Sequence, residues 1–152
     1  VKGRFTSPID LEGMTKFMDS LTDDYEYDDL GILTIKIHGK SESNKPKTTT
    51  EINLFSDGSV TFSFQEETDD YIRLKKELIC LVLKASHCNL CGTCANICMQ
   101  KAIKINPGDA NKEVNDSDSG PSDDYSIDSK KCTHCKSCIY HCPLFVIAKN
   151  TD

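Results

Sequence analysis

Eight of the nine cysteines in this chain fall into two copies of one spacing. Cys88, Cys91, Cys94 and Cys98 read C-x2-C-x2-C-x3-C. Cys132, Cys135, Cys138 and Cys142 repeat it, with Pro143 directly after. A duplicated run of thiols constrains the fold more tightly than any hydrophobic pattern, because the backbone must bend until the sulfurs face a shared partner. Structural zinc is held by C-x2-C knuckles set apart by a longer stretch. A disulfide scaffold needs an oxidising compartment, and the N-terminus carries no basic-then-apolar export signal. Neither alternative explains third and fourth thiols that follow at once.

Three cysteines at three-residue intervals wrap a loop around one cubic iron–sulfur cluster and ligate three of its irons. The fourth opens a helix pointing away, toward a second cluster, as in bacterial-type ligation. The pattern therefore predicts two [4Fe–4S] clusters as cofactors. Cluster I takes Cys88, Cys91, Cys94 and Cys142, and cluster II takes Cys132, Cys135, Cys138 and Cys98. No residue is assigned a catalytic role. Cys80 sits among Ile79, Leu81 and Val82 and reads as a buried, inert thiol. His87, His134 and His141 flank cluster cysteines and read as surface or supporting residues; His38 reads as solvated.

Residues 1–86 hold one cysteine and residues 87–152 hold eight, so the composition shift marks a boundary between an α+β module and a cysteine-rich module. Ser7-Pro8-Ile9-Asp10 reads as a helix start, with Ser7 as cap and Pro8 in the first turn. Leu11, Met14, Met18 and Leu21 then recur at helical spacing. Thr22–Gly31 is acidic and turn-like. Leu33, Ile35 and Ile37 alternate with polar residues as in a strand, and residues 39–49 read as a loop. Ile52 and Leu54, then Asp57-Gly58, then Val60, Phe62 and Phe64 describe a β-hairpin. A second helix is expected over Thr68–Ser86, with stripes at Tyr71, Leu74, Leu78, Val82 and Ala85 and at Ile72, Ile79 and Leu83. Helix, strand, hairpin, helix predicts a three-stranded antiparallel sheet with both helices on one face. Ser56-Asp57-Gly58-Ser59 opens no helix and so reads as a turn, not a phosphate loop.

Residues 87–149 resemble a bacterial-type two-cluster ferredoxin. The resemblance implies that Ala102-Ile103-Lys104-Ile105 and Phe145-Val146-Ile147-Ala148 pack over the clusters and exclude water. Two departures stand out: Met99 occupies the place of the usual Pro after Cys98, and Pro107–Ser129 is a long acidic insertion that reads as a solvated loop. From about Glu51 onward, the hairpin, the apolar helix and the cysteine module together resemble the C-terminal region of archaeal phosphoadenosine phosphosulfate reductase-like proteins. That resemblance implies an electron-transfer portion of a larger oxidoreductase acting on a sulfur group. Its partners would be a redox donor and a reductase domain or subunit. This chain lacks a nucleotide-binding loop, and the absence of an N-terminal Met fits a piece of something longer.

Charge narrows the partners further. The chain carries −6 at pH 7, which disfavours nucleic acid. No run of apolar residues is long enough for a membrane span, and oxygen-labile clusters without an export signal predict a cytoplasmic location. Eight thiolates outweigh the charge of two oxidised cores, so the loaded protein is more negative still. The competing expectation is a structural module in which the clusters act only as staples.

Overall fold

The computed structural model describes residues 2–38, 49–63, 69–106 and 125–151. The front half contributes β1 (Lys2–Arg4), α1 (Leu11–Met18), β2 (Tyr25–Tyr27), β3 (Ile32–His38), β4 (Thr49–Phe55), β5 (Ser59–Phe62) and α2 (Asp69–His87). The cysteine-rich half adds α3 (Thr93–Ile97), β6 (Ile103–Ile105), β7 (Tyr125–Ile127), α4 (Ser137–Tyr140) and α5 (Pro143–Lys149). The architecture is α+β, with an antiparallel sheet and helices first and the cysteine-rich region second.

The sheet has five strands in the order β1-β5-β4-β3-β2, not three. The expected central strands are present. Leu33 pairs with Leu54 and Ile35 with Ile52, and all four are fully buried. On the other face Thr34 pairs with Asn53 and Lys36 with Glu51, which gives the period-two alternation of a half-buried sheet. The two missed strands are edges of three residues each, too short for alternation to register. Lys2–Arg4 pairs with β5, and Tyr25–Tyr27, inside the acidic segment read as a turn, pairs with β3. The hairpin turn is as expected: Gly58 has φ 90° and its N–H donates to the Phe55 carbonyl at 2.9 Å. Phe64 and the Thr68 cap lie outside the described residues, as do positions 39–48 and 107–124 of the two expected loops.

Three further expectations need correction. The cap of α1 is Asp10, not Ser7, and its carboxylate accepts the Gly13 N–H at 2.8 Å. A Cβ on Gly13 would collide with that carboxylate, so the glycine is what permits the cap. In α2 the expected second stripe is broken, because Ile72 is exposed while Leu81, Glu77 and Lys84 are buried. The acidic insertion ends earlier than its composition suggested: Tyr125–Ile127 forms β7 against β6, with Tyr125 buried.

Helix α2 is covered on more than one side. It packs on α1 within the front half and on α4 and α5 of the cysteine-rich half. One hydrophobic core runs from Leu33, Ile35, Ile52 and Leu54 through Leu78 and Leu81 to Ile139 and Ala148. The front half is therefore a wall of the cysteine-rich region and not a tethered neighbour. Among the described residues, no helix is long and apolar enough to cross a membrane.

Candidate metal centre

The two cysteine runs share a backbone as well as a spacing. Two residues after the first cysteine of each run, Leu90 (φ 57°) and His134 (φ 52°) are left-handed. Four residues after it, Gly92 (φ 82°) and Lys136 (φ 62°) are left-handed again. Left-handed backbone costs a non-glycine residue about 1–2 kcal/mol, and such strain persists where a site dictates it. Alternating hands also turn successive N–H groups toward one point, a concavity that suits an anion. The third cysteine then sits in a short helix opened by a hydroxyl residue, Cys94 after Thr93 in α3 and Cys138 after Ser137 in α4.

Those hydroxyls serve the second cysteines. The Cys91 sulfur lies 3.4 Å from the Thr93 hydroxyl and the Cys135 sulfur 3.5 Å from that of Ser137. An O–H donated to sulfur favours the thiolate, and both thiols are shifted to lower pKa for that reason. The thiolate is the form that binds metal. Cys138 is pushed up to about 11 by burial, with Lys84 pulling the other way.

The fourth cysteines differ. Cys142 opens α5, with Pro143 in its first turn, as expected of a fourth ligand. Cys98 does not open a helix. It closes α3, and the chain passes into a turn in which Lys101 is left-handed. Pro143 has its φ preset for a first helical turn and no N–H to leave unpaired; Met99 offers neither. The Ala102 N–H instead donates to the Cys98 sulfur at 3.4 Å.

Cys98, Cys132, Cys135 and Cys138 line one pocket, together with Ala102, Ile103 and Ile127. Cys98 thus stands with the second run although it belongs to the first. Charge interactions run between the two runs in several places, from Cys142 to Cys91, from Cys98 to Cys132 and from Cys94 to Cys138. Among the described residues, no three His, Cys, Asp or Glu side chains converge where one metal ion would sit. A cubic cluster asks for a different arrangement: each thiolate binds its own iron at a corner, so the sulfurs ring a volume. The donor set fits such a group.

Residues 87–146 match the family model of the 4Fe-4S dicluster domain. No curated protein and no solved structure matches this chain. The dicluster domain and its cysteines carry two [4Fe–4S] clusters, which is the electron-carrying cofactor of ferredoxins. Of the apolar stretches expected to cover them, Ala102, Ile103 and Ala148 are buried, whereas Val146 and Ile147 are exposed. Phe145 turns its ring edge-on to Tyr140 at 5.1 Å.

The front half supplies supports to the dicluster domain that the sequence reading missed. Glu77 of α2, with no exposed surface, accepts from Lys136 Nζ at 2.7 Å and from the Tyr140 hydroxyl. The Asp19 carbonyl, just past α1, is 2.8 Å from His134 Nδ1 and 3.2 Å from the Cys132 sulfur. Cys80 is buried as expected, but its thiol faces the Ile139 carbonyl at 4.0 Å; its interaction with Cys142 pulls the Cys142 thiol to lower pKa and raises its own. His38 is not merely solvated either: its ring contacts Asp24 at 2.7 Å and Thr49 at 3.2 Å. One signal was readable. Glu77 and Lys84 lie seven residues apart on one face of α2, and Cys88 follows Lys84 by four residues just past the end of the helix, so two charges lie in line with the first cluster cysteine.

Proposed function

We propose that this chain relays single electrons through its two clusters to a reductase domain or subunit, without breaking a substrate bond itself. Cys88, Cys91, Cys94 and Cys142 would hold cluster I, and Cys132, Cys135, Cys138 and Cys98 cluster II. The observation that carries the reading is the duplicated cysteine loop, left-handed at matching positions, with Cys98 lining the pocket of the second run. Two one-electron centres in one small domain suit passage from a donor to an acceptor.

The parent protein in this reading is a phosphoadenosine phosphosulfate reductase-like oxidoreductase, of which the chain is a C-terminal portion. The hairpin, helix α2 and the immediate approach to Cys88 support it. Residues 1–86 would dock the dicluster domain against the rest of that assembly, in the cytoplasm, with a redox protein as donor.

An anaerobic redox titration followed by EPR tests the relay. Two reducible centres with interacting reduced signals are expected. Full iron occupancy with no reduction at any accessible potential would make the clusters structural staples and sink the relay. The full reading frame tests the parent: an upstream nucleotide-binding domain supports it, and an unrelated neighbour removes it.

A further inference from the structure

Lys84 is the least expected residue of the core. It lies on α2, one helical turn before Cys88, and is 1% exposed. Among the described residues its Nζ has no hydrogen-bond partner. It sits 4.9 Å from the centre of the Phe17 ring and 5.2 Å from that of Tyr125. Aromatic faces attract a cation, but two rings do not replace the hydration of a buried ammonium, which otherwise requires an anion and hydrogen-bond acceptors. The Lys84 carbonyl accepts the Cys88 N–H at 3.0 Å, and α2 packs on α4, which holds Cys138, and on α5, which Cys142 opens; the Lys84 charge pulls both of those thiols to lower pKa. Cys138 and Cys142 belong to different clusters in the crossed assignment. The Tyr125 hydroxyl is likewise buried without a hydrogen-bond partner among the described residues, and the charges of Cys94, Cys138 and Cys88 act to raise its pKa.

We infer that Lys84 is the internal counter-cation of the two clusters, a fixed positive charge set between them that makes each easier to reduce. The cluster and its thiolates supply the anion that the ammonium lacks. Reduction places one more negative charge on a cluster, from the 2+ to the 1+ core, with no bond broken and no proton taken up. A cation already in place stabilises the reduced form more than the oxidised form, so the potential rises. In a chain of net charge −6, an internal cation at the site opposes the surrounding negative field at short range and low dielectric. Lys84 touches no substrate; it is a positioning charge for the proposed relay, and it rests on that reading.

The test is an anaerobic titration of the full, cluster-loaded chain with dithionite as one-electron donor, followed by EPR, in Lys84→Met and Lys84→Arg, with iron and sulfide counted on each sample. Lys84→Met keeps the stem and removes the charge. It should lower the equilibrium constant for reduction of at least one cluster about tenfold, a shift of about 59 mV for one electron. Lys84→Arg should stay within about threefold of the parent by the same relation. Loss of clusters from the Met variant alone also supports the role, since Arg keeps the positive charge and Met does not. Three results would overturn it: wild-type potentials in a fully loaded Met variant, an equal shift in both variants, or equal cluster loss from both, which would make Lys84 a packing residue. Clusters that accept no electron even in the parent would sink the relay and this inference together; unmoved potentials would sink only the inference.

Discussion

Replacing Glu77 with Ala should loosen cluster II although Glu77 ligates nothing. Its carboxylate is fully buried and holds two groups of the second cysteine loop, the Lys136 ammonium at 2.7 Å and the Tyr140 hydroxyl. Arg73 lies 4.0 Å away with most of its side chain exposed, and a surface contact of that kind contributes little. Each hydrogen bond to a charged group contributes about 1.5–3 kcal/mol. Lys136 is 23% exposed and recovers some hydration when abandoned, so the low end applies to both and the loss is about 3 kcal/mol. At 1.4 kcal/mol per decade, the loop should open about a hundredfold more often. Chelator-driven iron release under anaerobic conditions reports that population while reclosing outpaces capture. Glu77→Ala should therefore release cluster II iron about a hundredfold faster than the parent. Because alanine also leaves a cavity, a double-mutant cycle of Glu77→Gln with Lys136→Met isolates the ion pair, with a coupling of about 1.5 kcal/mol. Release within threefold of the parent, or a cycle with no coupling, would mean that Glu77 does not hold the second cysteine loop.

Cys98→Ala should deplete cluster II and leave cluster I loaded, read by iron count and EPR, although Cys98 belongs to the first run; loss of cluster I instead would undo the crossed assignment. Gly58→Ala should lower the thermal midpoint by an amount equivalent to about 2 kcal/mol or more, since its φ is 90° and a Cβ would stand 2.7 Å from the Ser7 carbonyl oxygen. Gly92→Ala, at φ 82° with nothing within 4 Å of the new Cβ, should cost only about 1 kcal/mol, as its counterpart Lys136 already carries a side chain there. Tyr140 is pushed up to about 12 by burial and by its bond to Glu77. A phenol with a raised folded pKa adds stability below its unfolded value near 10, lost as pH climbs toward the folded one. Iron retention should fall across that window in the parent, and Tyr140→Phe should flatten the fall.

The cysteine spacing announced the dicluster domain, because covalent ligation imposes a register that hydrophobic burial does not. The central strands were equally legible, since Leu33, Ile35, Ile52 and Leu54 alternate strictly. What escaped was set by neighbours distant in the chain. Tyr25–Tyr27 and Lys2–Arg4 are edge strands defined by the sheet beside them, with no pattern of their own. The start of α1 was misplaced because Asp10 caps through the space Gly13 leaves open, while Ser7-Pro8 carries the commoner signal. In α2, burial of Glu77 and Lys84 contradicts the usual exposure of charged residues. It follows from α4, α5 and β7 closing over that face, which periodicity within one helix does not contain. Cys98 shows the limit of a repeat: its spacing matches that of Cys142, but without a following proline the chain turns instead of starting a helix.

Whether eight of these thiols hold two cubic clusters is decided by acid-labile sulfide and iron, counted together on the anaerobically prepared chain. Two clusters require about eight of each per chain. About four of each would leave one run without its cluster, and zinc with no sulfide would contradict the assignment of both.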